Sequence, residues 1–168
     1  MSRDADAPAA AASSAAGSPQ LALKIDVDTL RGTRAGVPAL LSTLAEHGAD
    51  ATFLFSLGPD HTGRAIRRAF RPGFFSKVSR TSVLEHYGVR TLLNGTLLPG
   101  PDIGRRAADD MRRVRAQGHE VGVHCFDHTS WQDFVTRRDA GWARRQMQLA
   151  AGRFHEVFGA APRVHGAA

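Results

Sequence analysis

Apolar residues arrive in short runs that alternate between two periods. "LALKID" (Leu21–Asp26) reads as a buried strand, and "ATFLFSL" (Ala51–Leu57) as a second, β-branched and aromatic with no breaker inside it. Between them, Gly36 to His47 carries Val37, Leu40, Leu41 and Leu44 at the spacing of one helical face, with Gly48 as the C-terminal stop. Ile103 to Ala116 fits a helix with Met111 and Val114 inward and arginines outward, ending at Gly118. "HEVGVH" (His119–His124) follows as a strand, and a last helix covers Trp142 to Phe158. After Pro162, "PRVH" begins a further strand. No internal repeat is evident. Strand, helix, strand, long excursion, helix, strand, helix, strand is the order of parallel βαβ units with outer helices. Right-handed crossovers bring the carboxyl ends of such strands to one edge, where chemistry gathers.

Composition narrows the picture little. The 168 residues are 42% hydrophobic and 23% charged, ordinary for a soluble domain with a proper core. No apolar stretch approaches the roughly 18–20 residues that span a bilayer. The opening residues 1–20 are rich in alanine and serine, lack the greasy segment of a secretory signal, and are expected to form a disordered tail. Residues 21–168 are then the folded domain. One cysteine, Cys125, allows no internal disulfide and fits a reducing cytoplasm.

Charge changes the picture more. The net charge of +6 equals the excess carried by Arg64, Arg67, Arg68, Arg71, Lys77 and Arg80, a stretch without a single acid. Ile66, Phe70, Phe74 and Phe75 are interleaved with them. A basic, phenylalanine-bearing segment suits an anionic membrane surface or a phosphate-bearing ligand. Nucleic acid is the weaker alternative and is not expected as a partner. A plain solvated face is a third, since arginine outnumbers lysine 20 to 2 throughout.

Two places put polar groups at strand ends. In "KIDVDT", Asp26 and Asp28 leave the same face of an extended segment. They are either a strand end plus a cap for the helix near Gly32–Gly36, or a pair awaiting a cation or a proton. In "HCFDH", His124 and His128 are either exposed loop histidines, as His47, His61 and His155 are read to be, or two ligands aimed at one ion. Both places fall at carboxyl ends of one expected sheet, which favours the joint reading. Two imidazoles and one carboxylate leave a coordination position open for water, and the second carboxylate is available as general base.

The same residues resemble the NodB-like polysaccharide deacetylases. "GHEVGVHCFDH" (Gly118–His128) is similar to that family's histidine motif, "LALKIDVDT" (Leu21–Thr29) to its aspartate motif and "ADATFLF" (Ala49–Phe55) to its second strand. Within it, "IDVDTLRGTRAGVPALL", "FSLGPDHTGR", "LLNGTLLPGPDIG" and "HEVGVHCFDHTSWQ" resemble the branch that deformylates a formamido-arabinose carried on undecaprenyl phosphate, in the aminoarabinose modification of lipid A that confers polymyxin resistance. The resemblance implies an α/β fold, the N-terminal half of a distorted (β/α) barrel of the NodB-like deacetylase type, with parallel strands and outer helices. It implies a metal-dependent hydrolase of a non-peptide C–N bond, with Asp26 as general base and Asp28, His124 and His128 holding one divalent metal ion, zinc or another transition metal. The usual motif has adjacent aspartates and here Val27 separates them, so the two carboxylates can exchange these roles.

The implied substrate is a lipid-linked formamido-sugar met at the cytoplasmic face of the bacterial inner membrane. Arg64, Arg67, Arg68 and Arg71 would then lie near phosphate or anionic headgroups, and Phe70, Phe74 and Phe75 near lipid. The family's base-orienting arginine and late acid histidine are not found in the sequence, which breaks off near where the arginine motif should begin. That leads to the expectation of an impaired enzyme whose open sheet edge meets a missing C-terminal half or a second copy. The alternatives are a deacetylase of an N-acetylated sugar polymer, or a non-catalytic remnant of the fold.

Overall fold

The computed structural model describes residues 21–69, 91 and 93–166, with the side chains of 66–69 outside that description. Three parallel strands form the sheet: β1 (Lys24–Val27), β2 (Thr52–Ser56) and β3 (Glu120–Cys125), in the spatial order of the sequence. Register pairs Lys24 with Thr52 and Thr52 with Glu120, so Asp26, Leu54 and Gly122 share one row. Helices α1 (Val37–Glu46), α2 (Thr62–Ala69), α3 (Ile103–Arg106), α4 (Ala108–Ala116), α5 (His128–Phe134) and α6 (Ala140–Phe158) connect and flank the strands. The α/β reading with parallel strands holds, and so does its partial-barrel character.

Alternation along the strands separates two faces. Val27, Phe53, Phe55 and Val123 point outward and pack with Val37, Leu41 and Leu44 of α1, Met111 and Val114 of α4, and Phe154 and Val157 of α6. Phe53 and Phe55 are completely buried. On the inner face, Leu54 is buried as well, in the row that also carries Asp26 and Gly122. Residues 164–166 add beside β3: Val123 N–H donates to the Val164 carbonyl at 3.0 Å and Gly166 N–H to the Val123 carbonyl at 3.0 Å. A Cβ on Gly122 would stand 2.6 Å from the Val164 carbonyl oxygen, so this close approach requires glycine.

Several boundaries differ from the periodicity. Leu40, read as part of the buried face of α1, is 40% exposed; Val37, Leu41 and Leu44 make that face without it. The turn into α1 is one of wide helix, Gly32–Gly36. The cap there is Thr29, whose Oγ1 accepts the Gly32 N–H at 2.9 Å, and this frees Asp28 from the capping role considered for it. The helix expected over Ile103–Ala116 breaks at Ala107, at φ −124°; Asp102 caps the first segment, and Arg34 Nη2 donates to the Arg106 carbonyl at 2.6 Å beside the break. Among the described residues, no helix is long and apolar enough to cross a membrane.

Candidate metal centre

The carboxyl ends of β1 and β3 deliver the side chains at issue. Asp28 stands one residue beyond β1, His124 lies near the end of β3, and His128 opens α5. Register passes from Phe55↔Val123 to Ser56↔Cys125, so His124 has no residue opposite it on β2. Such a bulge re-aims a side chain at the end of a ladder. Asp127 sets the position of His128: its carboxylate accepts the Ser130 N–H at 3.1 Å, starting α5.

The result is a tight cluster. Asp28 Oδ1 lies 3.3 Å from His124 Nε2 and 3.4 Å from His128 Nδ1. The two imidazoles stack with centroids 5.2 Å apart. One ligand atom from each of the three residues lies within 4.8 Å of the others. Two details show that the set fits a cation. His124 Nδ1 is 2.8 Å from the Gly166 carbonyl, which can only accept, so Nδ1 carries the proton and Nε2 turns a lone pair toward the carboxylate. With the ring neutral, a cation between Nε2 and Asp28 Oδ1 satisfies both acceptors. His128 Nδ1 is buried and makes no hydrogen bond, a costly orphan unless something positive fills the space. Burial, aided by neighbouring His124, holds the His128 pKa below its ordinary value against the pull of Asp28, which keeps the imidazole in its ligating neutral form.

Asp26 sits beside the cluster, with Oδ1 3.7 Å from His124 Nδ1 and Oδ2 2.9 Å from Lys24 Nζ. Lys24 and Asp26 are two residues apart on the strand and share a face, and the sequence reading missed that pairing. Ser56, at the end of β2, donates from Oγ to Asp28 Oδ1 at 3.4 Å and lies 3.2 Å from Cys125 Sγ. Burial pushes the Cys125 thiol up to about 12, which removes it as a nucleophile.

His61, read as a surface residue, is mostly buried. Its Nδ1 donates to Asp127 Oδ2 at 2.7 Å, and Thr129 Oγ1 donates to its carbonyl at 3.2 Å. Just before it, the fully buried Asp60 accepts the Leu30 N–H at 3.0 Å and the Thr62 N–H at 3.2 Å, tying the β1 turn to the start of α2. The signal for both lay in "GPDH": an acid and a histidine directly after a buried strand. His47 and His155 are exposed, as read. Arg64 is exposed on α2 and its Nε donates to the Gly95 carbonyl at 2.9 Å. The side chains of Arg67 and Arg68, and Phe70, Arg71, Phe74 and Phe75 entirely, lie outside the described residues, as does the 1–20 tail.

Parallel strands, outer helices and a His–His–Asp cluster at the strand carboxyl ends define an α/β protein with a candidate cation site. The family model for polysaccharide deacetylases matches residues 15–167, and the chain belongs to that family. It is 46% identical over 113 residues to a protein of Shewanella sediminis (strain HAW-EB3) named "Probable 4-deoxy-4-formamido-L-arabinose-phosphoundecaprenol deformylase ArnD", covering 67% of this chain and 37% of that protein. To a protein of the same name in Wigglesworthia glossinidia brevipalpis it is 36% identical over 104 residues, covering 62% of this chain and 36% of the relative. The chain thus matches little more than a third of these relatives' length. Among solved structures, one assigned to the polysaccharide deacetylases, from Mycobacterium smegmatis, superposes with a TM-score of 0.51 at 18% identity over 86% of this chain and 41% of that one, a likeness of fold alone.

Proposed function

We propose that this chain carries the metal-holding and base-bearing part of a deformylase acting on a formamido-arabinose linked to undecaprenyl phosphate, in the aminoarabinose modification of lipid A. The observation that carries the proposal is the convergence of Asp28, His124 and His128 with Asp26 alongside. The relatives named as formamido-arabinose deformylases supply the substrate.

Asp28, His124 and His128 would hold one divalent ion, and zinc, cobalt, nickel and manganese all accept two imidazoles and a carboxylate. When bound, such an ion supplies Lewis acidity to a water and to the formamide carbonyl. Asp26 takes the proton at Oδ1 as the water oxygen bonds to the formyl carbon. Lys24 holds Oδ2 on the far side and so fixes the direction in which Oδ1 accepts. The Gly166 carbonyl keeps His124 in one tautomer. Cleavage of the C–N bond gives formate and the free amine once the nitrogen has gained a proton. The family resemblance puts that proton on a late-strand histidine, a role we assign to none of the described residues.

In this reading the protein works at the inner face of the inner membrane, with Arg64, Arg67, Arg68 and Arg71 toward anionic headgroups and Phe70, Phe74 and Phe75 toward lipid. Formate release from a formamido-arabinose on a short polyprenyl phosphate, with zinc or cobalt added, tests the activity. We expect release that is lost in Asp26→Asn and His128→Ala. Release that is indifferent to both variants and to a chelator refutes the assignment, and release of acetate from an N-acetylated sugar polymer in place of formate moves the chain to another branch of its family.

A further inference from the structure

Both tryptophans of the chain lie together beside the metal centre. Trp131 is three residues after His128, on the adjoining turn of α5. Its ring stacks on Trp142 of α6 at 6.0 Å, and Phe134 meets Trp142 edge-on at 6.4 Å. Neither tryptophan is buried, and Phe134 is 37% exposed. Leu149, two helical turns beyond Trp142 on the same side of α6, is 48% exposed. The aromatic cluster, with Leu149 further along α6, is an apolar surface of the kind that marks an interaction site.

Charge says what covers it. Arg137, Arg138, Arg144 and Arg145 bracket the strip and all are exposed. The guanidinium of Arg138 lies 5.3 Å from the Phe134 ring centroid, held over its face. One of the two acids in this stretch, Asp139, is spent on capping Trp142 N–H at 2.7 Å. Indole rings whose N–H can stay wet, flanked by arginines whose stems lie along apolar surface, are the composition that settles at a lipid–water boundary. Negative headgroups complement the arginines. Helix α2, which carries the exposed Arg64 near its start, packs on α5.

We propose that Trp131, Phe134, Trp142 and Leu149, with their four arginines, form a membrane-docking surface for anionic phospholipid that holds the mouth of the metal centre against the bilayer. None of these residues belongs to the Phe70–Phe75 segment. Its purpose rests on the lipid-linked substrate reading, while its binding does not.

Because Trp131 and Trp142 are the whole tryptophan content, tryptophan emission, excited so that Tyr87 stays silent, reports on this surface. The full chain is titrated with phosphatidylglycerol–phosphatidylcholine vesicles and with phosphatidylcholine alone. The expected result is a blue shift on the anionic vesicles, quenched by brominated acyl chains, weakened at least tenfold by Arg137→Glu with Arg138→Glu, and reduced in 0.5 M salt. Asp26→Asn should bind vesicles unchanged, so a failure of the deformylase reading leaves this outcome intact. Vesicle sedimentation without any change of emission would place the membrane contact elsewhere and overturn the proposal. So would an equal shift on neutral vesicles, or a shift that follows protein concentration without vesicles, which would assign the strip to a second copy of the chain.

Discussion

Replacing Asp28 with asparagine separates the metal reading from a purely structural one, because the two predict opposite signs. In the protein without metal, Asp28 Oδ1 lies 3.3 Å from the lone pair of His124 Nε2 and 3.4 Å from His128 Nδ1. An asparagine of the same shape with N–H₂ in place of Oδ1 donates to a neutral His124 at Nε2 and to Ser56 Oγ, whose hydroxyl turns to accept, a gain in hydrogen bonding worth about 0.5–1.5 kcal/mol. Metal-free Asp28→Asn should therefore unfold at the same temperature as the parent or higher. With zinc at a hundred times its dissociation constant, the parent gains about 2.7 kcal/mol. For a domain of this size that is a rise of roughly 5–10 °C in Tm. The variant is left with two donors, fewer than the three a site of this class uses, and should gain under about 1 °C. The assay is differential scanning fluorimetry on chelator-treated protein, with and without zinc, cobalt or manganese. A variant that is less stable than the parent when metal-free, yet keeps the full metal shift, would show that Asp28 is a structural carboxylate and that the ion binds elsewhere.

Acid should weaken the fold through His128. Its folded pKa lies below the ordinary 6.5, so as pH falls below that value the unfolded chain binds the proton first and stability declines; denaturant melts from pH 7.5 to 5 should show a fall that His128→Ala reduces. Lys24→Met should cost no more than about 1 kcal/mol of stability, because the ion pair with Asp26 is half-exposed, yet lower formate release at unchanged metal affinity; a parallel loss of stability and activity would make Lys24 merely structural. Gly122→Ala should cost about 1–3 kcal/mol in urea unfolding by pushing the 164–166 segment from β3, and should loosen metal binding, since Gly166 orients His124; unchanged metal affinity would remove the Gly166 carbonyl from the site. Cys125, 3% exposed with its thiol pushed up to about 12, should resist an aromatic disulfide reagent at pH 8 in the folded chain and react on unfolding; rapid native reaction would contradict its burial.

The sheet was legible because its strands are short apolar runs that burial reinforces: Phe53 and Phe55 cannot be placed anywhere but in the core under the helices. The positions of Asp28, His124 and His128 at strand ends were legible for the same reason, since polar residues that stop such a run can only emerge at its mouth. Periodicity could not show the break at Ala107, beside which Arg34 takes the Arg106 carbonyl across 72 residues. Nor did it show α5, because the apolar residues of "HTSWQDF" face solvent and α6, leaving no inward stripe; only the Asp127 cap marks where that helix begins. His61 escaped notice because a histidine's burial is decided by a partner, here Asp127, 66 residues away. Lys24 escaped because a strand-end lysine is ordinarily solvated, and its use depends on Asp26 sharing its face.

Asp127 explains how a site drawn from three distant stretches holds a fixed shape. One carboxylate caps α5 through the Ser130 N–H, accepts the Ser130 hydroxyl at 2.6 Å and accepts His61 Nδ1 at 2.7 Å. The cap fixes where His128 starts its helix, and the His61 bond fixes the residue from which α2 departs. Asp60 extends the same tie to Leu30 in the turn after Asp28. The ligand-bearing turns after β1 and β3 are thus joined through the segment after β2, by hydrogen bonds among buried groups that lose more when broken than surface pairs do. A displacement of α2, which opens the basic stretch, cannot occur without pulling on both aspartates and therefore on His128.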